Sequence, residues 1–440
     1  RDFCLSRGLG DVYKRQPALT DTRRQPRQQS AHHPSTARVT AVGALYVLII
    51  VSVIPWRSAT IYSGGADGVV VAKAFIAVLA FAATLALAAR TRERVAVGIA
   101  PACVIALALL VSVLGSVLAG NDSATIILVG RMFLVMATIL FLLTTVPWVT
   151  SIVCLLAAMA SVAVVAAVTG LPSLAASGRL GGGIPEIHPN ELAGLVAAPI
   201  IGLVILMLRN GVRVWRLLAA VVLVGIAVAS GSRTGLLAIV VGIGVAVLVN
   251  GIRDRSVLYL LLGALPLGYA IGSFTDVFGS LATRAGSNDT STALDSRFDV
   301  WRVVLGWDWG EWQKWIGIGL SAKKIPVDIK WRDEQVLDSS WASLLAQTGL
   351  IGTALIAALI VWCVASALIS SRRRWLVTPL LTLVIIRSVT ESGLIDSATA
   401  FILFFVVASL LTHRSRHADD PVGPEYDRVD GRRSHHLSLT

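Results

Sequence analysis

Four arginines stand where a strongly apolar chain has little structural use for them. Arg131 lies about two turns inside a long apolar run. Arg179 falls in the glycine-rich stretch SGRLGGGIPEIHPNELAG (177–194), Arg233 in the turn SGSRTG (230–235), and Arg297 at the head of RFDVWRVVL (297–305). A guanidinium grips phosphate oxygens with two parallel N–H donors and keeps its charge at any physiological pH. A group of them suits a phosphate or diphosphate carried by a lipid. Where diphosphate is the leaving group, its growing charge needs that stabilisation. Two carboxylates are candidates to orient or deprotonate a hydroxyl: Asp338, ahead of the apolar run SSWASLLAQTGLIG, and in reserve Glu186. Such a base works best in a shielded site that raises its pKa. Asp before a helical apolar run is also a favoured helix cap, and the two roles are compatible. For Arg131 the bland alternative is a side chain that snorkels to the headgroups. Arg387 and Glu391, four apart, read as a structural pair. Arg233 has no such simple account, because small neighbours leave it accessible.

These residues are strung along a chain of 440 residues that is 55% hydrophobic and only 15% charged, with a mean hydropathy of +0.76. That excludes a disordered chain, a disulfide scaffold and an ordinary cytosolic enzyme. Cys103, Cys154 and Cys363 sit inside apolar runs and Cys4 in the leading tail, so neither a disulfide nor a metal site is expected. Twelve runs approach the length of about 20 apolar residues that a spanning helix needs. They are 40–56, 69–89, 95–119, 124–146, 148–171, 191–208, 214–230, 234–250, 256–272, 341–370, 375–390 and 394–412. The fold class is therefore all-α, a polytopic membrane protein of about twelve helices. The domain reading is a tail at 1–39, a membrane domain at 40–412 and a second tail at 413–440, with residues 1–16 resembling sequencing-adapter read-through. With both tails inside, the inner loops carry eleven Arg against two acids, and the short outer loops three Arg against five acids. This is the positive-inside bias, and it sets both termini in the cytoplasm. A net charge of +12 would suggest nucleic acid in a soluble protein. Here the bases belong to inner loops and tails, so no nucleic-acid partner is expected.

One outer loop, 273–338, has 66 residues and six of the twelve Trp. A loop of this length is usually functional or disordered, and its Trp content argues against disorder. Trp301 falls one helical turn after Arg297. The run WDWGEWQKW (307–315) fits either an anchor in the headgroup layer or a platform on which sugars stack.

Taken together, these segments resemble the O-antigen ligase and polysaccharide polymerase superfamily. The motifs that carry the likeness are Arg179 to Asn190 with HPN at 188–190, SGSRTG, Arg297 to Trp301 followed by Gly317-Ile318-Gly319, and DSSWASLLAQTGLIG. The resemblance implies a GT-C-like membrane glycosyltransferase of the bacterial cytoplasmic membrane. The donor would be a glycan on a polyprenyl diphosphate, undecaprenyl favoured, and the acceptor a sugar hydroxyl at the outer face. No metal-binding pair such as Asp-x-Asp stands in an outer position, so a metal-independent enzyme without cofactor is expected. Arg233 and Asp338 would be catalytic, with Arg179, Arg297, Arg131, Glu186, Asn190 and Trp301 binding substrate. Asp338 stands where the ligases of this superfamily carry a His, which favours polymerisation over ligation. A transporter or flippase of lipid-linked glycans is the alternative. It would need polar groups through the whole membrane, whereas here they gather at one face.

Overall fold

The structure, a computed structural model, describes residues 34–56, 68–91, 94–120, 122–252, 255–260, 262–263, 300–329, 332–369, 373–396 and 398–412. The helices run in chain order as α1 (Thr36–Val53), α2 (Gly68–Arg90), α3 (Ala100–Ala119), α4 (Asp122–Leu143), α5 (Trp148–Thr169), the short α6 (Leu171–Ser177), α7 (Pro189–Asn210), α8 (Val214–Ala229) and α9 (Arg233–Asn250). After the long loop come α10 (Trp312–Ile316), α11 (Ser340–Ile369), α12 (Arg374–Thr390) and α13 (Thr399–Leu411). Eight of these helices are long and apolar enough to cross a membrane, namely α1–α5, α7, α9 and α11, while α8 and α13 are shorter apolar helices. The expected ninth span, 256–272, lies mostly outside the described residues, as do most of both tails. The protein is thus a mostly helical, polytopic membrane protein.

α7 is the centre of the bundle. It is buried along nearly its whole length. Its small residues Ala193, Gly194, Ala197, Ala198 and Gly202 let neighbours approach closely, which is how helices associate where no hydrophobic force separates lipid from protein. α5, α8, α9 and α12 pack around it. α13 has 13 residues, about 20 Å of helix, too short for a hydrocarbon core of about 30 Å. All of its residues but Ala400 are buried, so neighbouring helices and not lipid receive its ends.

The expected twelfth span, 394–412, is shortened for that reason. Residues 394–396 and 398 are non-helical; the Leu394 amide donates to Ser340 Oγ (3.3 Å) and the Ala398 amide to the Asp396 carbonyl (2.7 Å). Non-helical backbone is tolerated at such depth only where protein surrounds it. A second departure from the all-α expectation is an antiparallel hairpin of β1 (Lys324–Ile329) and β2 (Arg332–Val336) within the long loop. The hairpin, the helical residues 300–306 and the head of α11 share a small core of Val300, Val304, Ile325, Leu337, Ala342 and Ala346. Trp301 packs against that core, and Asp338 follows directly on its Leu337.

The two ends of the bundle differ in chemistry. One end gathers Arg209, Arg213, Arg216, Arg373 and Arg374. There Arg216 donates to the Leu206 and Gly211 carbonyls (3.1 and 3.0 Å), closing the C-terminus of α7. Arg373 bonds the Leu410 carbonyl at the end of α13, and Arg209 lies over the Trp375 ring at 4.3 Å. The opposite, loop-rich end collects the N-termini of α7, α9, α11 and α13, and the candidate site lies there.

Candidate functional site

The loop-rich end is organised by the start of α7. His188 caps that helix, its Nδ1 accepting from the Asn190 amide (3.3 Å), and Pro189 supplies a first-turn residue that needs no acceptor. Asn190 then points out of the first turn with both ends of its amide engaged. Its Oδ1 accepts from Arg179 Nη2 (3.0 Å), and its Nδ2 donates to Glu391 Oε1 (2.9 Å). Arg179 also donates through Nε to the Ser230 carbonyl (3.0 Å), and Thr234 Oγ1 donates to Glu391 Oε1 (3.3 Å). Ser230 and Thr234 bracket the turn SGSRTG. The hydrogen bonds therefore close a ring through Arg179, Asn190, Glu391 and that turn.

Arg233 sits on this ring as the first residue of α9, exposed, with Ser232 as the N-cap accepting from the Gly235 amide (3.3 Å). No acidic residue occupies the first turn of α9. A cation is the wrong charge for a helix N-terminus, whose unpaired N–H groups favour anions. Added to an incoming anion, the same arrangement becomes favourable, with guanidinium and helix amides on one ligand.

Asp338 and Trp301 line one pocket of about 50 Å³, together with Val300, Val336, Ser339, Ala342, Val389 and Thr390. α11 begins at Ser340, whose amide and Oγ both donate to the Glu391 carbonyl (3.1 and 2.7 Å). The pocket of Asp338 thus borders the segment that carries Glu391, and Glu391 touches the residue beside Arg233.

Beneath the ring lies a second charged layer. Arg387 is buried; its Nη2 donates to the Asn190 carbonyl (3.4 Å), and its guanidinium covers Gly194 where any Cβ would collide with it. The expected side-chain pair of Arg387 with Glu391 is not formed, because each turns toward α7 instead: Arg387 to the backbone of Asn190 and Glu391 to its amide. Lys323 pairs with Asp396 (2.6 Å). The Asp396 carboxylate lies within electrostatic reach of Arg131 and Glu191, and Arg387 within reach of Glu191. Arg131 itself bonds the Ser52 carbonyl of α1.

Residues 218–357 match the O-antigen ligase family model. The match supports the O-antigen ligase/polymerase superfamily for the chain. No curated protein matches the chain. The matched span contains Arg233, Trp301 and Asp338, while Arg179, Asn190 and Glu391 come to its rim from outside it.

Of the residues singled out from the sequence, the structure brings Arg179, Asn190 and Arg233 to one corner and sets Asp338 with Trp301 in the pocket beside it. Arg131 is set apart toward α1. Glu186 is exposed on the loop before α7. Arg297 lies outside the described residues. Thr234, Glu391 and Glu191 had drawn no binding role from the sequence. The available signal was Glu191, an ionisable residue at the first position of an apolar run.

Proposed function

We propose that this ligase-family protein transfers a glycan from a polyprenyl diphosphate to a sugar hydroxyl at the outer face of the cytoplasmic membrane, with polymerisation of repeats as the favoured outcome. The observation that carries the reading is Arg233, an exposed cation at the start of α9, held beside Arg179 and next to the pocket of Asp338 and Trp301. The acceptor oxygen attacks the anomeric carbon of the donor. The bond from that carbon to the diphosphate oxygen breaks, and the electron pair leaves with the diphosphate. Arg233, with Arg179 and Arg297 in support, stabilises the charge that develops there. Asp338 orients the acceptor hydroxyl and takes its proton, and Trp301 offers a face for the sugar. In this reading guanidinium groups do the work of charge neutralisation without a metal. The arginine-rich end of the bundle faces the cytoplasm and both termini lie there, as the positive-inside bias implies.

The test replaces Arg233 and Asp338 singly with Ala and follows lipid-linked glycans in cells. Transfer should fall by about 10²-fold or more in each, the usual loss when one transition-state donor or one general base is removed. Single repeats should accumulate on lipid at the outer face. Normal polymer in both variants would refute the assignment of these residues, and intermediates held at the inner face would favour a flippase.

A further inference from the structure

We propose that Glu391 is a positioning residue for the phosphate-binding corner, acting through Asn190 on Arg179 and through Thr234 on the turn that presents Arg233. The inference rests on the transferase reading above and deepens it. Glu391 Oε1 receives two donors from two different helices, Asn190 Nδ2 of α7 at 2.9 Å and Thr234 Oγ1 of α9 at 3.3 Å. Its backbone carbonyl receives two more, the amide and hydroxyl of Ser340 at the head of α11. One residue therefore ties together the starts of α7, α9 and α11, which carry Asn190, Arg233 and the segment following Asp338.

The direction of each bond matters. Asn190 has one acceptor and one donor group on its amide. The Glu391 carboxylate accepts only, so it fixes Nδ2 toward itself and leaves Oδ1 toward Arg179. Oδ1 then takes Nη2 of Arg179 while the Ser230 carbonyl takes Nε, which locks the plane of the guanidinium. Ser230 and Thr234 stand at the two ends of the turn around Arg233. Both ends are therefore pinned by the same ring, and Arg233 is projected from a turn whose position the ring sets. A bidentate grip on phosphate depends on where the fork points, so loosening the ring should weaken the grip while leaving both arginines present.

The experiment uses the full chain in lipid nanodiscs and the binding of a polyprenyl diphosphate without glycan as the probe. Glu391→Ala should weaken that binding about tenfold, as expected for loss of charge-assisted hydrogen bonds. Glu391→Gln keeps an acceptor in place and should stay within about twofold of the parent protein. Asn190→Asp opposes two carboxylates and should weaken binding. The double variant Asn190→Asp with Glu391→Gln reverses donor and acceptor and should restore it, a rescue that general destabilisation does not produce. Thermal midpoints are measured beside each. If Glu391→Gln is as weak as Glu391→Ala, or the double variant fails to recover, the relay is wrong. Arg233→Ala is the reference. Its normal binding would overturn the transferase reading itself, whereas its loss beside a normal Glu391→Ala would overturn only the role of Glu391.

Discussion

Lysine at position 233 would keep the positive charge and lose the fork. Ammonium is a compact, strongly hydrated point charge, so the exchange is not conservative where two oxygens are gripped at once. Arg233→Lys should bind polyprenyl diphosphate about tenfold more weakly than the parent protein, and Arg233→Ala more weakly again. Titration of the purified variants with that diphosphate checks the order. Equal binding by Lys and Arg would mean that position 233 supplies only charge. The argument belongs to this residue because of its setting: exposed at the first position of α9, with no acid in that turn. Local rules broken without structural compensation tend to mark functional positions. Arg216 is the contrast, a buried arginine whose donors close the end of α7.

The break in α11 shows how one glycine holds the long loop against the bundle. Gly349 has φ 62° and ψ −166°, which divides α11 into a head from Ser340 to Thr348 and a long spanning part. The break frees carbonyls that lipid could not satisfy, and the loop answers them: the Ile318 amide donates to the Ala346 carbonyl (2.8 Å) and the Gly319 amide to that of Gln347 (3.2 Å). A Cβ at 349 would strike the backbone of Trp315 and Ile316, in a conformation that L side chains rarely adopt. Gly349→Ala should cost about 1–3 kcal/mol from backbone strain alone, with the collision added. Thermal unfolding in detergent measures it, against Gly130→Ala in α4, where no atom lies near the added methyl and the midpoint should hold. Unchanged stability in Gly349→Ala would mean that the loop does not lean on this break. The same comparison shows what the sequence makes legible. Spanning helices must be apolar over about 20 residues, so their positions stand out. The hairpin of β1 and β2 does not, because its strands are only six and five residues long and sit in a polar loop, so they read as loop. The site was legible as residue types, since a misplaced arginine is visible wherever it falls. Its pairings were not: Asn190 and Glu391 meet across 201 positions, and only packing decides that Arg387 turns to α7 and not to Glu391.

At the scale of the molecule, the division into an arginine-rich end and a loop-rich end decides which reaction is open to the protein. Basic residues are retained on the cytoplasmic side, and the end with Arg209, Arg213, Arg216, Arg373 and Arg374 should face inward. In the proposed reading the corner of Arg179 and Arg233 and the pocket of Asp338 then face outward, where they would meet a glycan already carried across the membrane. Labelling of single cysteines decides the orientation. In a chain whose four native cysteines are replaced, Ser177→Cys lies at the loop-rich end and Ile252→Cys at the other, both exposed. A maleimide that cannot cross membranes should label position 177 in intact cells, and position 252 only after the membrane is opened. The reverse pattern would turn the site toward the cytoplasm. Arg233 would then meet lipid diphosphates before export, and transfer at the outer face would have to be abandoned. Labelling of both positions from outside would break the alternation between α6 and the end of α9. The intervening helices α7, α8 and α9 are three, an odd number, so their two flanks must lie on opposite sides if each one crosses. The experiment therefore tests whether α8, with its 16 residues, completes its crossing. Its partners favour that outcome: the Ala229 carbonyl at its end receives the Leu180 amide (2.8 Å) and Ser230 receives Arg179, both at the loop-rich end. Its start lies among the arginines that close α7 at the other end.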